Sequence, residues 1–426
     1  MAKGIDEMIR NPVFKLICAF GIAVLFLSPY LSSVFAQEKV IVIKAGKVQT
    51  ITNGVIENGV ILIKGTRIID IGSQIDIPPN TEVFDFHDKF IMPGVVSPDS
   101  NIGIKLSEED SLAEAQGSGA KNLANYPVIY SIYPENPDYR LALINGFTTL
   151  GISPPSKGIS GLSAVIKPTG QKLEDMLIRP RAFLKIKVSV NTPFLDLLKK
   201  ELEEAQKNLD FQKKKKQEEK EKAKKMEAKE KVIIKKEKEE KTISEATKIF
   251  MDVLEGKLPV LAECGAPSAI SHIIELISGY PEIKLIIRGS PDTYKAGVLL
   301  KEKNIPIIIE PKIDSKISYL SPYPERTNYV LKCQEMGLTI AFQVSGSLED
   351  QIHLYDFLNK LYQLGIKKDL LLKGVTIIPA ELLGVEKLVG SLEKGKRANL
   401  VVFKEDPIEN VPVIEKVILE GKFVQW

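Results

Sequence analysis

Strand-like apolar runs recur along most of this chain, spaced so that a helix fits between one and the next. They occupy residues 90–96, 148–152, 164–166, 183–188, 258–262, 284–287, 305–309 and 338–342, with helical stretches such as 294–301 and 352–364 between them. Strands separated in this way do not pair as hairpins. The intervening helix carries the chain back across the sheet, so the pattern predicts an α/β fold with a parallel sheet. Residues 91–386, without a charged insertion at 199–241, amount to about 250 residues. That is the usual length of eight strand-helix units closed as a (β/α)8 TIM-like barrel.

Both ends of the chain follow another pattern. Residues 40–71 alternate apolar and polar positions and are broken by Asn-Gly and Lys-Gly turns, and the same pattern returns at 399–403, 411–419 and 423–424. These are antiparallel hairpins, and neither set buries an apolar face alone. Residues 37–90 and 387–426 are therefore expected to form one composite β-sandwich. Ahead of them, Lys3, Arg10 and Lys15 precede an apolar core at 16–27 and the small-residue ending Val34-Phe35-Ala36. That order is a cleavable secretory signal over residues 1–36, which predicts an exported protein, periplasmic or secreted. Its core is shorter than the roughly 20 residues of a bilayer span, so no stable membrane span is expected after cleavage.

The insertion is a segment of strong helix formers, with no Gly or Pro between Pro193 and Gly256. Leu198, Leu202, Ala205 and Leu209 give its first part a packing seam, and from 212 to 222 the seam vanishes. A helical hairpin turning in the charged middle is expected, with its tip in water. Residues 211–241 hold 14 Lys against 8 Glu, so the rest of a chain whose formal charge is +3 is slightly acidic. That balance offers nucleic acid no general basic field. It leaves the segment as a solvated arm, a contact for an acidic partner, or a coiled-coil contact with a second subunit.

Several motifs carry a resemblance. They are Pro93-Gly94-Val95-Val96, Asn136-Pro137-Asp138, Asn145-Gly146-Phe147-Thr148-Thr149 and Gly161-Leu162-Ser163-Ala164-Val165-Ile166-Lys167, with Ile378-Pro379-Ala380-Glu381-Leu382-Leu383-Gly384 near the end. The closing run is Gly390-Ser391-Leu392-Glu393-Lys394-Gly395-Lys396-Arg397-Ala398-Asn399-Leu400-Val401-Val402-Phe403, followed by Val417-Ile418-Leu419-Glu420-Gly421-Lys422. In these the chain resembles the metal-dependent amidohydrolases, specifically the imidazolonepropionase-related branch, over roughly residues 40–426. The resemblance implies a barrel carried on a sandwich. It also implies hydrolysis at carbon bonded to nitrogen or oxygen, by a water activated on one or two divalent metals at the C-terminal mouth of the barrel.

The family's ligands are missing from the positions that match. Where it has His-x-His after the first strand, this chain has Asp99-Ser100-Asn101; the middle-strand ligand falls near Val190. Its His-Ala-His becomes Glu263-Cys264-Gly265, its next His becomes Gly289, and its final Asp becomes Ser345. The whole chain has three His. His87 falls beside the composite domain, and His272 and His353 fall on helical stretches outside the strands. Asp99 and Glu263 remain the candidates for catalysis or for holding Ca²⁺ or Mg²⁺ with waters. Lys167, Arg288 and Ser345 are candidates for ligand binding, as is the loop 153–158. Cys264 lacks a base beside it in sequence and is expected to be an inert thiol.

These residues support two main readings. On the first, the chain is an amidohydrolase-like pseudoenzyme with no cofactor, acting as a binding or subunit protein, its protein partner or second copy engaged through residues 199–241. On the second, it is a hydrolase of carbon-nitrogen (non-peptide) bonds with an altered metal centre near Asp99 and Glu263. A purely structural role in an envelope assembly is a third.

Overall fold

The computed structural model describes residues 39–104, 122–155, 158–190, 192–226, 243–310, 329–343 and 352–425. The signal at 1–36, the tip of the insertion at 227–242 and Ser345 lie outside them.

Seventeen strands are present among the described residues: β1 (Val40–Gln49), β2 (Val55–Lys64), β3 (Arg67–Gly72), β4 (Glu82–Pro93), β5 (Val95–Ser100), β6 (Phe147–Ile152), β7 (Ile159–Leu162), β8 (Ala164–Ile166), β9 (Leu177–Arg179), β10 (Leu184–Lys187), β11 (Val260–Glu263), β12 (Leu285–Arg288), β13 (Ile307–Ile309), β14 (Ile340–Phe342), β15 (Leu400–Phe403), β16 (Ile414–Leu419) and β17 (Lys422–Phe423). The two chain ends meet in one seven-stranded sheet of order β17-β16-β15-β4-β1-β2-β3, joined where β15 pairs antiparallel with β4.

All seven strands belong to one hydrogen-bonded sheet, which curls. Its edge strand β3 turns back onto the run before β15, through Ile68 N–H to Lys396 O at 2.9 Å and Gly395 N–H to Ile68 O at 2.7 Å. Twist makes the curl possible, and its inner face buries Ile43, Ile61, Ile63, Ile68, Leu400 and Ile418 in one cluster.

The middle of the chain forms a barrel-like core from two sheets, β14-β13-β12-β11-β10-β7 and β5-β6-β8-β9. Neighbours from β10 to β14 are parallel, as the strand-helix alternation predicts. The run 159–166 departs from that expectation. Its first part, β7, lies antiparallel on β10, and its second part, β8, lies antiparallel on β6, so one bent segment links the two sheets. Only a few residues separate β6 from β7 and β7 from β8, too few for a helical crossover, and antiparallel pairing is what such short connections allow. Across the other gap, Val96 N–H of β5 bonds to Val375 O at 2.9 Å.

Among the helices packed on this core are α1 (Thr192–Met226), α2 (Glu245–Leu254), α3 (Pro267–Ile277) and α4 (Ile377–Leu382). The packing seam of α1 is as expected. Leu198, Leu202, Ala205 and Leu209 are buried together with Phe194, and α1 packs along α2. From Asp210 to Glu219 no side chain is buried. The helix is thus half wall and half arm, and at 1.5 Å per residue its length is roughly 50 Å. Ser244 caps α2, its hydroxyl accepting from Thr247 N–H at 3.0 Å. At the opposite end of the core, α4 covers the barrel-like interior, with Ala380 packed in one cluster with Val96, Phe183, Leu261, Ile286, Ile308 and Ala341. Among the described residues no helix is long and apolar enough to cross a membrane.

Candidate functional site

Side chains on a strand alternate between its two faces, so a residue two positions beyond an inward one also faces inward. Phe183, just ahead of β10, and Leu261, Ile286, Ile308 and Ala341 on β11 to β14 form the apolar interior. Two residues further on stand Lys185, Glu263, Arg288, Glu310 and Gln343. The layer above the apolar one is therefore polar, and it sits at the C-terminal ends of the strands, the end where barrel enzymes of this kind carry their chemistry. Asp99 joins it from β5. Pro98 has no N–H for the ladder, the β5-β6 register slips between Ser97 and Ser100, and Asp99 turns into the interior. Gly151 on β6 faces the same bulge: a Cβ there would lie 2.4 Å from Pro98 O.

Asp99 is the deepest member, with its side chain fully shielded from solvent. Lys185 Nζ donates to both of its oxygens, at 3.0 and 3.2 Å, and Arg288 Nη1 donates to Oδ2 at 3.0 Å. The Ser153 hydroxyl also bonds to it, and Ser163 in turn donates to Ser153 at 2.9 Å. Burial alone would raise the Asp99 carboxyl; Lys185 and Arg288 outweigh it and hold its pKa below the ordinary value. Arg288 reaches onward, through Nη1 to Glu263 Oε2 at 3.4 Å and through Nη2 to Glu310 Oε2 at 2.7 Å. Burial opposes the guanidinium charge, and the three carboxylates together raise its pKa further. Lys187 stands at the rim, 4.0 Å from Glu263.

This arrangement does not fit a divalent metal. A metal needs lone pairs free to converge on it, but both oxygens of Asp99 already accept N–H bonds from cations. An ion placed between Asp99 and Glu263 would meet the Arg288 guanidinium and the Lys185 ammonium, two like charges in a shielded interior. Among the described residues no group of three His, Cys, Asp or Glu is placed to hold a metal.

Of the residues singled out from sequence, Asp99, Glu263 and Arg288 come together. Lys167 does not: it lies against the curled sheet, where its Nζ pairs with Glu420 at 2.6 Å. Val190 lies beyond the end of β10 and is exposed, and the side chain that enters the interior from β10 is Lys185. Gly289 packs against Thr293 while its neighbour Arg288 turns inward. His87 lies on β4 and is exposed, and His272 and His353 face solvent beside Ser268 O and Asp356. Cys264 is buried, and burial pushes its thiol up to about 12, which leaves it protonated at neutral pH. Lys185, Glu310 and Gln343 were missed from sequence, although each stands two residues after an interior apolar residue in the pattern apolar-x-polar.

The comparisons with known proteins bear on the fold. Residues 335–424 match the model of the Amidohydrolase family. Among solved structures, an amidohydrolase from Thermotoga maritima MSB8 is 22% identical, with a TM-score of 0.70 over 90% of this chain and 99% of that one. A molinate hydrolase is 14% identical, with a TM-score of 0.56 over 92% and 95%. A Xaa-Pro dipeptidase with bound methionine in the active site is 15% identical, with a TM-score of 0.54 over 91% and 100%. No curated protein matches in sequence. At these identities the likeness is one of architecture: the chain shares the fold of the amidohydrolases, and at its mouth side-chain cations pair with the carboxylates.

Proposed function

We propose that this chain is an exported, metal-independent member of the amidohydrolase fold that acts as a binding or subunit protein and not as a hydrolase. The observation that carries the reading is the state of Asp99. Its two oxygens are held by Lys185 at 3.0 and 3.2 Å and by Arg288 at 3.0 Å, so the carboxylate that matches the family's first ligand position is neutralised by protein cations. Water activation on a metal needs an open coordination position, and this donor set offers none. The barrel-like core and the arm of α1 then serve as a rigid body and a handle for a partner or a second copy.

The test is elemental analysis of protein purified without chelator, together with hydrolysis assays on amide, urea and carbamate substrates. The expected result is metal far below one ion per chain and no hydrolysis above background. About one ion per chain, with hydrolysis abolished by Asp99→Ala, would overturn the reading in favour of an altered metal centre.

A further inference from the structure

A groove of about 570 Å³ opens at the end of the barrel-like core opposite the charged layer. It runs between the last turn of α3, the end of α4 and the N-terminal starts of β11, β12 and β13, so it shares no residue with the site at the mouth. Its volume lies within the usual range for small-ligand pockets. Ile277, Ile283 and Ile305 supply apolar wall. Pro259, Pro281 and Pro306, one in each segment leading to a strand, fix that backbone, so the groove is preformed.

The charge along the groove gives the chemistry of its occupant. Lys284 and Lys303 are among the residues that line it, both exposed at its edge and neither with an ion-pair partner among the described residues. One carboxylate lines it as well, Glu381, whose charged form burial and nearby Glu386 both disfavour. We propose that this groove binds an amphipathic monocarboxylate: an alkyl or aryl body lies against the isoleucines, and the carboxylate takes the place of the missing partner of Lys284 and Lys303. The inference does not depend on what happens at the mouth, and it stands whether or not the chain hydrolyses anything.

The probes are octanoate, octylammonium and octanol, titrated calorimetrically into the full mature chain at low salt. Octanoate is expected to bind at one site per chain, and octylammonium and octanol at least about tenfold more weakly, since a charge-assisted hydrogen bond is at stake. Octanoate binding should also weaken as salt screens the lysines. Both lysines are exposed, so Lys284→Glu with Lys303→Glu will fold, and this variant should lose octanoate by about tenfold or more and gain octylammonium. Absence of octanoate binding to the folded chain would overturn the proposal. So would equal binding of the three probes, or an octanoate affinity unmoved by the charge reversal.

Discussion

Lys185 and Asp99 face each other across the interior from two different strands, with the ammonium 3.0 Å from one carboxylate oxygen and 3.2 Å from the other, and both side chains are buried. A pair so placed does little for stability when compared with a well-packed apolar pair, but each member is costly to leave without the other. Asp99→Ala leaves Lys185 and part of Arg288 uncompensated, and the expected loss is about 3–5 kcal/mol in urea unfolding. Lys185→Met alone should cost less, because Asp99 keeps Arg288. In the double variant Asp99→Ala, Lys185→Met the losses should fall short of additive by about 0.5–3 kcal/mol. Strict additivity would mean that the two groups do not interact in solution.

Acid should remove the same contribution. The Asp99 carboxyl titrates below its ordinary value of 3.8 in the folded chain, so its share of stability is fully present above that value and is lost as pH falls through the lower folded pKa. The stability gap between the parent and Asp99→Asn should therefore be constant from pH 7 to about 5 and should narrow below about pH 4. A gap that instead narrows between pH 8 and 6 would assign the coupling to another group.

Gly151→Ala tests how Asp99 is aimed. The added Cβ would sit 2.4 Å from Pro98 O and 2.7 Å from a Leu383 methyl, so the backbone next to Asp99 has to move. The expected cost is about 1–3 kcal/mol from overpacking. If Asp99 is displaced, the variant should also lose part of the coupling measured between Asp99 and Lys185. Destabilisation with the coupling intact would place the strain on Leu383 alone.

Much of this was legible in the sequence because it rests on periodicity. The strand-helix alternation gives the parallel strands β10 to β14, and the hairpin patterns at both ends give strands that meet where Leu400 pairs with Pro93 and Phe403 with Phe90. The direction of β7 and β8 was not legible, since a short apolar run does not say which way it points in a sheet. At the mouth, Asp99, Glu263 and Arg288 stood out as charged residues at strand ends. Lys185 did not stand out, because the motifs put the middle position near Val190, beyond the strand end at Lys187, and no motif marks Lys185 itself. Counting two residues from each interior apolar residue finds Lys185, Glu310 and Gln343 without any motif.

The insertion is part wall and part arm. Charge and helix-forming residues put the insertion at 199–241, but Leu202, Ala205 and Leu209 within it are buried against the core. Beyond Leu209 the described side chains up to Glu219 face water or are only half covered, and surface ion pairs along such a helix are worth about 0–1 kcal/mol each. Two truncations separate wall from arm. Replacing 212–241 with a Gly-Ser linker long enough to rejoin Phe211 to Thr242 should leave the thermal midpoint within a few degrees of the parent. Replacing 199–241 removes three buried apolar side chains, with about 2–5 kcal/mol at stake for each leucine, and the midpoint should fall by about 10 °C or more. If the shorter replacement also unfolds the chain, the outer half of the helix is part of the body. If the longer one leaves the midpoint unchanged, the seam along Leu198, Leu202, Ala205 and Leu209 does not hold α1 to the core.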